Sequence, residues 1–400
     1  MSSRIRALPL VLLLGALLSA CGGGSGDSNA NTSPGSVVSQ AAALSPAAAL
    51  GKKIFFDPSL SVSGLQSCAT CHDPDHAHAG ADGLAVPPGG PTMDTPGFRN
   101  APTLNYLSFD TAFFFDSEGT PTGGFNLDGR AASFMAQARR PFVAPHEMAN
   151  GTAAEVVDKL RSAAYVSEFM QVFGSDIFDS GDDAFDRAVF ALQKYETEAP
   201  EFRPFDSKYD YFLAGKVQLS AQEMRGLALF NDPNKGNCAA CHSNSRLDDG
   251  TPPLFTDFTY DNLGVPRNMD IPANADSDYY DLGLCGPDRT DLAGRTDLCG
   301  AFKVPTLRNV AVTAPYFHNG RFATLTEVVS FYVRRDTNPE EWYPNAGADK
   351  FNDLPPQYRS NVNTTEAPYN RKPGGVPALD SDEIDDLVAF LNTLTDGYQP

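Results

Sequence analysis

Two Cys-x-x-Cys-His runs constrain this chain more than any other feature. They are Cys68-Ala69-Thr70-Cys71-His72 and Cys238-Ala239-Ala240-Cys241-His242. One turn of chain brings two thiols to one side and places a histidine directly after them. That pattern suits covalent attachment of haem c: the thiols add across the vinyl groups, and the adjacent imidazole reaches the iron. A redox dithiol does not require the histidine. A zinc ion rarely takes a cysteine and the very next residue together. The sequence therefore predicts two covalently bound haem c groups, held by Cys68, Cys71, Cys238 and Cys241, with His72 and His242 as iron ligands. The copies lie 170 residues apart in a chain of 400. A chain of this length is expected to form two domains, here a first haem domain over 47–205 and a second over 206–400.

The remaining cysteines follow from an exported location. Arg4 and Arg6 precede a short apolar run, Leu8 to Leu18, which reads as a secretory signal over residues 1–20. The run ends in Leu18-Ser19-Ala20-Cys21, resembling a bacterial lipoprotein cleavage site, so Cys21 is expected to carry a lipid. Residues 21–46, rich in Gly, Ser, Ala and Asn, read as a flexible tether. The expected location is the periplasm, with a soluble body anchored to a membrane, the outer one by preference, through lipid alone. Cys285 and Cys299 flank a Gly, Asp and Arg-rich loop. Outside the cytoplasm they are expected to form a disulfide closing about 15 residues.

Composition bounds the rest. The net charge of −20 excludes nucleic-acid binding, which needs clustered Lys and Arg. It suits a basic protein partner. Hydrophobic residues make up 42%, enough for a core, while 34 Gly and 31 Pro predict many loops. Helical apolar spacing covers Ala153 to Phe173, Asp183 to Tyr195 and Ala221 to Phe230. Ser220 with Glu223, Thr324 with Glu327 and Asp380 with Glu383 mark helix starts, the last helix running to about Leu394. Alternating strand patterns are scarce. The predicted fold is mainly α, with two cytochrome-c-like haem domains and long loops.

The wider motif order resembles the bacterial di-haem cytochrome c peroxidase family, which includes the MauG protein-oxidising enzymes. The first half carries Arg99-Asn100-Ala101-Pro102-Thr103-Leu104-Asn105, Asp128-Gly129-Arg130-Ala131, Gln137 and Pro145-His146-Glu147-Met148. The second carries Lys303-Val304-Pro305-Thr306-Leu307-Arg308-Asn309-Val310 and Thr313-Ala314-Pro315-Tyr316-Phe317-His318-Asn319-Gly320. The resemblance spans about residues 48 to 395. It implies that peroxide meets the N-terminal haem and that Glu147 is the acid-base residue. Glu147 would take the proton from one peroxide oxygen and return it to the leaving oxygen. Gln137 matches its companion. Asn100, with the carbonyls of Thr313 and Pro315, matches a calcium site. Homodimers are common in the family, and nothing in this sequence decides that point.

Three positions depart from the peroxidase pattern. Seven residues before Arg99, where peroxidase members place a blocking histidine, this chain has Thr92. Met93 is one residue off. His76 and His78 lie closer to the first haem site and read as solvated loop residues rather than ligands. Fourteen residues after His318, where peroxidases use an axial Met, stands Tyr332, as in MauG-type members. A phenolate lowers the iron potential, whereas a thioether raises it. Leu325, Val328, Val329 and Tyr332 also share one helix face, where a core tyrosine would equally sit. Finally, where many members place a Trp between the haems, this chain has Leu127. The only tryptophan is Trp342. Electron exchange between haems would then tunnel or use another aromatic, among Phe113 to Phe115 or Phe125.

These readings lead to an enzyme that reduces hydrogen peroxide to water with electrons from a small donor, a c-type cytochrome or cupredoxin. The alternative is a MauG-like oxidase that uses peroxide to modify Trp or Tyr side chains of a substrate protein.

Overall fold

The computed structural model describes residues 43–344 and 346–400. Cys21 and most of the expected tether lie outside them. Within the described residues, two helix pairs organise the chain. Helix Pro46–Phe55 lies against Gly181–Glu198, and helix Ala221–Asn231 lies against Ser381–Asn392.

Both crossings depend on a glycine. A Cβ on Gly51 would stand 1.8 Å from the carbonyl oxygen of Ala191, and one on Gly226 would stand 2.0 Å from that of Asp386. No side chain fits between backbones this close, so glycine's usual cost in a helix is accepted for the approach it permits. Leu50, Ile54 and Phe55 then bury against Val189, Leu192 and Tyr195. Phe230 packs edge-on to Phe390, 5.2 Å between ring centroids. The first core draws on residues 50–202 and the second on residues 209–394. Together the described residues from Ala43 onward form one compact unit.

The capping residues act as their sequence suggests. Ser220, Thr324 and Asp380 each accept the backbone N–H three residues on, from Glu223, Glu327 and Glu383, whose carboxylates bond back to the cap. The last helix ends at Asn392. The stretch from Ala153 to Phe173 is two helices, Ala153–Arg161 and Val166–Phe173. The chain turns between them so that the Tyr165 hydroxyl donates to Asp57 at 2.7 Å. The tether also ends earlier than expected: Ser45 caps the first helix and its backbone N–H donates to Glu198 at 3.0 Å.

Among the described residues, strands are confined to three two-residue antiparallel ladders. One pairs Tyr260–Asp261 with Phe302–Lys303. No helix among the described residues is long and apolar enough to cross a membrane.

Alanine normally stabilises a helix relative to glycine by about 1 kcal/mol. Gly51→Ala and Gly226→Ala should do the opposite, each destabilising the protein by about 2 kcal/mol through overpacking. Denaturant unfolding of the purified variants checks this, and unchanged or raised midpoints would refute the close crossings.

Candidate functional site

Each Cys-x-x-Cys-His run opens onto its own cavity. Cys68, Cys71 and His72 line the first, and Cys238, Cys241 and His242 the second. All four thiols are free. Burial pushes Cys68 and Cys71 above the ordinary thiol range, and lifts Cys238 and Cys241 to about 12. They therefore stay neutral and are not anion sites.

Both histidines are prepared as neutral ligands. His72 Nδ1 donates to the carbonyls of His78 and Pro102, each 3.1 Å away. His242 Nδ1 donates to Phe255 O at 3.0 Å. Burial lowers His72 to about 4 and lowers His242 as well. Fixing the proton on Nδ1 leaves Nε2 as the electron-pair donor, the orientation a metal-bound imidazole needs.

One wall separates the cavities. Asn100 to Thr103 and Lys303 to Thr306 line both sides, as does Leu127. The two motif blocks are therefore facing surfaces of a single partition. Lys303 N donates to Leu127 O at 2.8 Å, and the buried Lys303 ammonium bonds to Asp110 and to Gly124 O. Phe113, Phe114, Phe115 and Phe125 line neither cavity. Phe114 and Phe115 sit in an exposed ladder with Pro121–Thr122, while Phe125 is buried.

Glu147 and Gln137 both line the first cavity. Gln137 projects from helix Phe134–Val143. Glu147 lies on the turn beyond it, which Asn150 ties down by donating to Leu60 O and Phe142 O at 2.9 and 2.8 Å. Burial raises the Glu147 carboxyl above its ordinary range, against the pull of Arg140 and Arg130. His146 Nε2 is 3.6 Å from Glu147 Oε1. Burial lowers His146, with Arg140 adding to the effect, so this neighbour carries no charge at neutral pH.

Thr92 is exposed and turned away, its hydroxyl 2.5 Å from Asp94, and neither it nor Met93 lines the cavity. His78 is not a solvated loop residue. It is 2% exposed, stacks on Phe202 with ring centroids 4.0 Å apart, and places Nδ1 2.7 Å from Asn105 Oδ1. Its positive φ folds the loop back so that its carbonyl reaches His72. His76 is the half-exposed one, near Asp73.

In the second cavity Tyr332 is half-buried among Phe317, Phe331 and Tyr369, and its phenol makes no hydrogen bond among the described residues. Burial holds that phenol protonated, well above its ordinary range. Tyr369 was not singled out from sequence. Its ring lies 6.0 Å from Tyr332, with the Arg335 guanidinium 4.5 Å over it. The Asn100 amide donates to Pro315 O, and Thr313 lines the same cavity. A disulfide joins Cys285 and Cys299.

Further groups have a role that only the fold reveals. Asp128, fully buried, accepts from Arg99 at 2.8 Å and Arg130 at 2.9 Å, and Arg99 also forks onto Asp281 at 2.5 and 2.7 Å. Glu196 lines the first cavity without a partner for Oε2, and burial lifts it to about 8.

With this geometry in hand, the chain can be placed. It belongs to the di-haem cytochrome c peroxidase family that includes MauG. The model of that family, described as di-haem cytochrome c peroxidase, matches residues 45–218. Methylamine utilization protein MauG of Paracoccus denitrificans is 38% identical over 363 residues, 88% of this chain and 89% of that protein. Cytochrome c551 peroxidase of Nitrosomonas europaea is 31% identical over 365 residues, 88% and 80% respectively. The solved diheme peroxidase BthA of Burkholderia thailandensis is 40% identical with a TM-score of 0.80, covering 88% of this chain and 86% of that one. The protein is thus a peroxide-dependent oxidoreductase of a family that carries two haems c. The residues fit that cofactor. Each cavity offers paired free thiols, a neutral imidazole with its outer nitrogen already satisfied, and apolar walls.

Removing one partner of a buried ion cluster leaves uncompensated charge, at a cost of about 3–5 kcal/mol. Asp128→Ala should lower stability by that amount, measured by chemical denaturation, since Arg99 and Arg130 both lose their shared acceptor. A change within the scatter of surface variants would remove Asp128 from that role.

Proposed function

We propose that this protein reduces hydrogen peroxide to water, using two electrons and two protons per peroxide, with electrons from a small periplasmic donor such as a c-type cytochrome or cupredoxin. The observation that carries the reading is the first cavity. It holds a half-buried carboxyl, Glu147, beside Gln137, and no side chain from the Thr92 turn closes it. A haem held there by Cys68, Cys71 and His72 would supply an electron-rich metal at which the oxygen–oxygen bond breaks. The protein's own part is proton handling. Glu147 accepts the proton of one peroxide oxygen and returns it to the other, so that water leaves instead of hydroxide. A carboxyl raised by burial suits both halves of that task. Gln137 orients the peroxide by hydrogen bonding.

The second haem, held by Cys238, Cys241, His242 and Tyr332, would take in electrons from the donor, and the acidic surface favours a basic one. In this reading the haem units are residues 47–205 and 206–400, the body is held to a membrane by lipid on Cys21, and calcium binds at Asn100, Thr313 and Pro315. The Asn100 amide already lies against the Pro315 carbonyl. Calcium takes six to eight oxygens, so water would complete that shell.

One observation favours a second reading, a MauG-like oxidase that modifies Trp or Tyr of a substrate protein. Tyr332 lines the second cavity, and a phenolate would suit a low-potential iron better than electron entry. Leu127 in the partition argues against it, because a saturated side chain carries no hole.

Mixing the holoprotein with peroxide and reduced cytochrome c separates the two. Sustained donor oxidation supports the peroxidase, and modified Trp or Tyr in a partner protein without donor turnover supports the oxidase. Glu147→Gln should retain both haems yet slow peroxide cleavage by ~10²-fold or more, and an unchanged rate eliminates Glu147. Tyr332→Phe should change the optical and paramagnetic-resonance signature of the second haem alone. An untouched spectrum makes Tyr332 a core residue.

A further inference from the structure

The disulfide loop has a place in the first cavity that the cysteine pairing alone does not explain. Asp288, three residues beyond Cys285, lines that cavity although it belongs to the second half of the chain. Its Oδ1 accepts from Arg140 Nη2 at 3.0 Å, and its Oδ2 lies 3.6 Å from Arg130 Nη2. The next residue is a clamp. Arg289 is 4% exposed, donates to Asp128 O at 2.8 Å and stands 3.8 Å over the Phe113 ring. Asp288, itself exposed, thus lies between the crosslinked Cys285 and the buried Arg289 guanidinium.

We propose that Asp288 is a positioning residue for Glu147, fixing the arginine pair that faces the acid-base carboxyl. This rests on the reading of Glu147 given above. The groups facing Glu147 are Arg140 from helix Phe134–Val143, Arg130 from the loop before it, His146 beside it, Asp288 from the disulfide loop, and the thiols of Cys68 and Cys71 across the cavity. Only the two arginines favour the charged carboxylate, and Asp288 offsets them. Arg130 is also held by Asp128, but the guanidinium of Arg140 has no carboxylate partner other than Asp288 among the described residues. Asp288 therefore sets both where Arg140 stands and how much of its charge reaches Glu147.

The test is the rate of cyanide binding to the ferric holoprotein as a function of pH. This readout does not depend on which oxidation the enzyme performs. Binding should fall on the acid side as Glu147 takes up its proton, and Glu147→Gln should abolish that limb. Asp288→Asn leaves the arginines uncompensated, so the limb should move to lower pH by about half a unit or more. Asp288→Glu, which keeps the charge, should return it toward the wild-type position. Should Asp288→Asn fail to fold, Arg140→Gln must move the limb the opposite way, to higher pH. A limb that survives in Glu147→Gln overturns the reading of Glu147 and the proposal with it. A limb that belongs to Glu147 yet stays fixed in Asp288→Asn, whether or not thermal stability falls, overturns the proposal alone, because a merely structural loop would behave so.

Discussion

The Asp128 carboxylate is the interaction on which most of the site depends. It is fully buried, and such a charge is tolerable only when every lone pair has a donor. Arg99 and Arg130 supply those donors, and Arg289 takes the backbone carbonyl of the same residue. Each arginine continues to a second task. Arg99 reaches Asp281 and so fixes the start of the Asn100–Thr103 partition. Arg130 lines the first cavity together with Glu147. Arg289 anchors the disulfide loop. The ordering of the wall, the first cavity and a loop from the far end of the sequence thus share one buried anion.

Around that anchor the two halves repeat one solution to the same packing problem. Each needs a large apolar void that does not collapse. In each, a helix pair drawn together at a glycine supplies a rigid back wall, and the Cys-x-x-Cys-His turn lies beside it. Rigidity here comes from backbone contact rather than from side-chain volume, which leaves room on the other side. The shared partition then keeps both voids within one compact unit. The buried Lys303, tied to Asp110 and Gly124, gives that partition an internal strut.

Much of this was legible in the sequence because it is local. Capping boxes, haem attachment turns and the cysteine pair all declare themselves within a few residues. What escaped was set by long-range folding. His78 looks like a loop residue until the chain is seen to fold back and lay its ring on Phe202, more than a hundred positions away. Asp288 reads as one acidic residue in a polar loop, and only the fold brings it to Arg140. The split of 153–173 into two helices reflects Tyr165 finding Asp57, a contact that apolar periodicity cannot register.

Two carboxyls on the first cavity, Glu196 buried and Glu147 half-buried, show how counter-charge acts beside desolvation. Glu196 is lifted to about 8 by desolvation alone, with no basic group acting on it, so it stays neutral near pH 7 and adds no charge to the cavity. Glu147 meets the same desolvation, but Arg140 and Arg130 pull against it. A carboxyl locked in its protonated form can donate once but cannot accept from a peroxide oxygen. One held between opposing influences can do both within a cycle. The arginine pair, and the aspartates that fix it, therefore set the charge environment of Glu147 apart from that of Glu196.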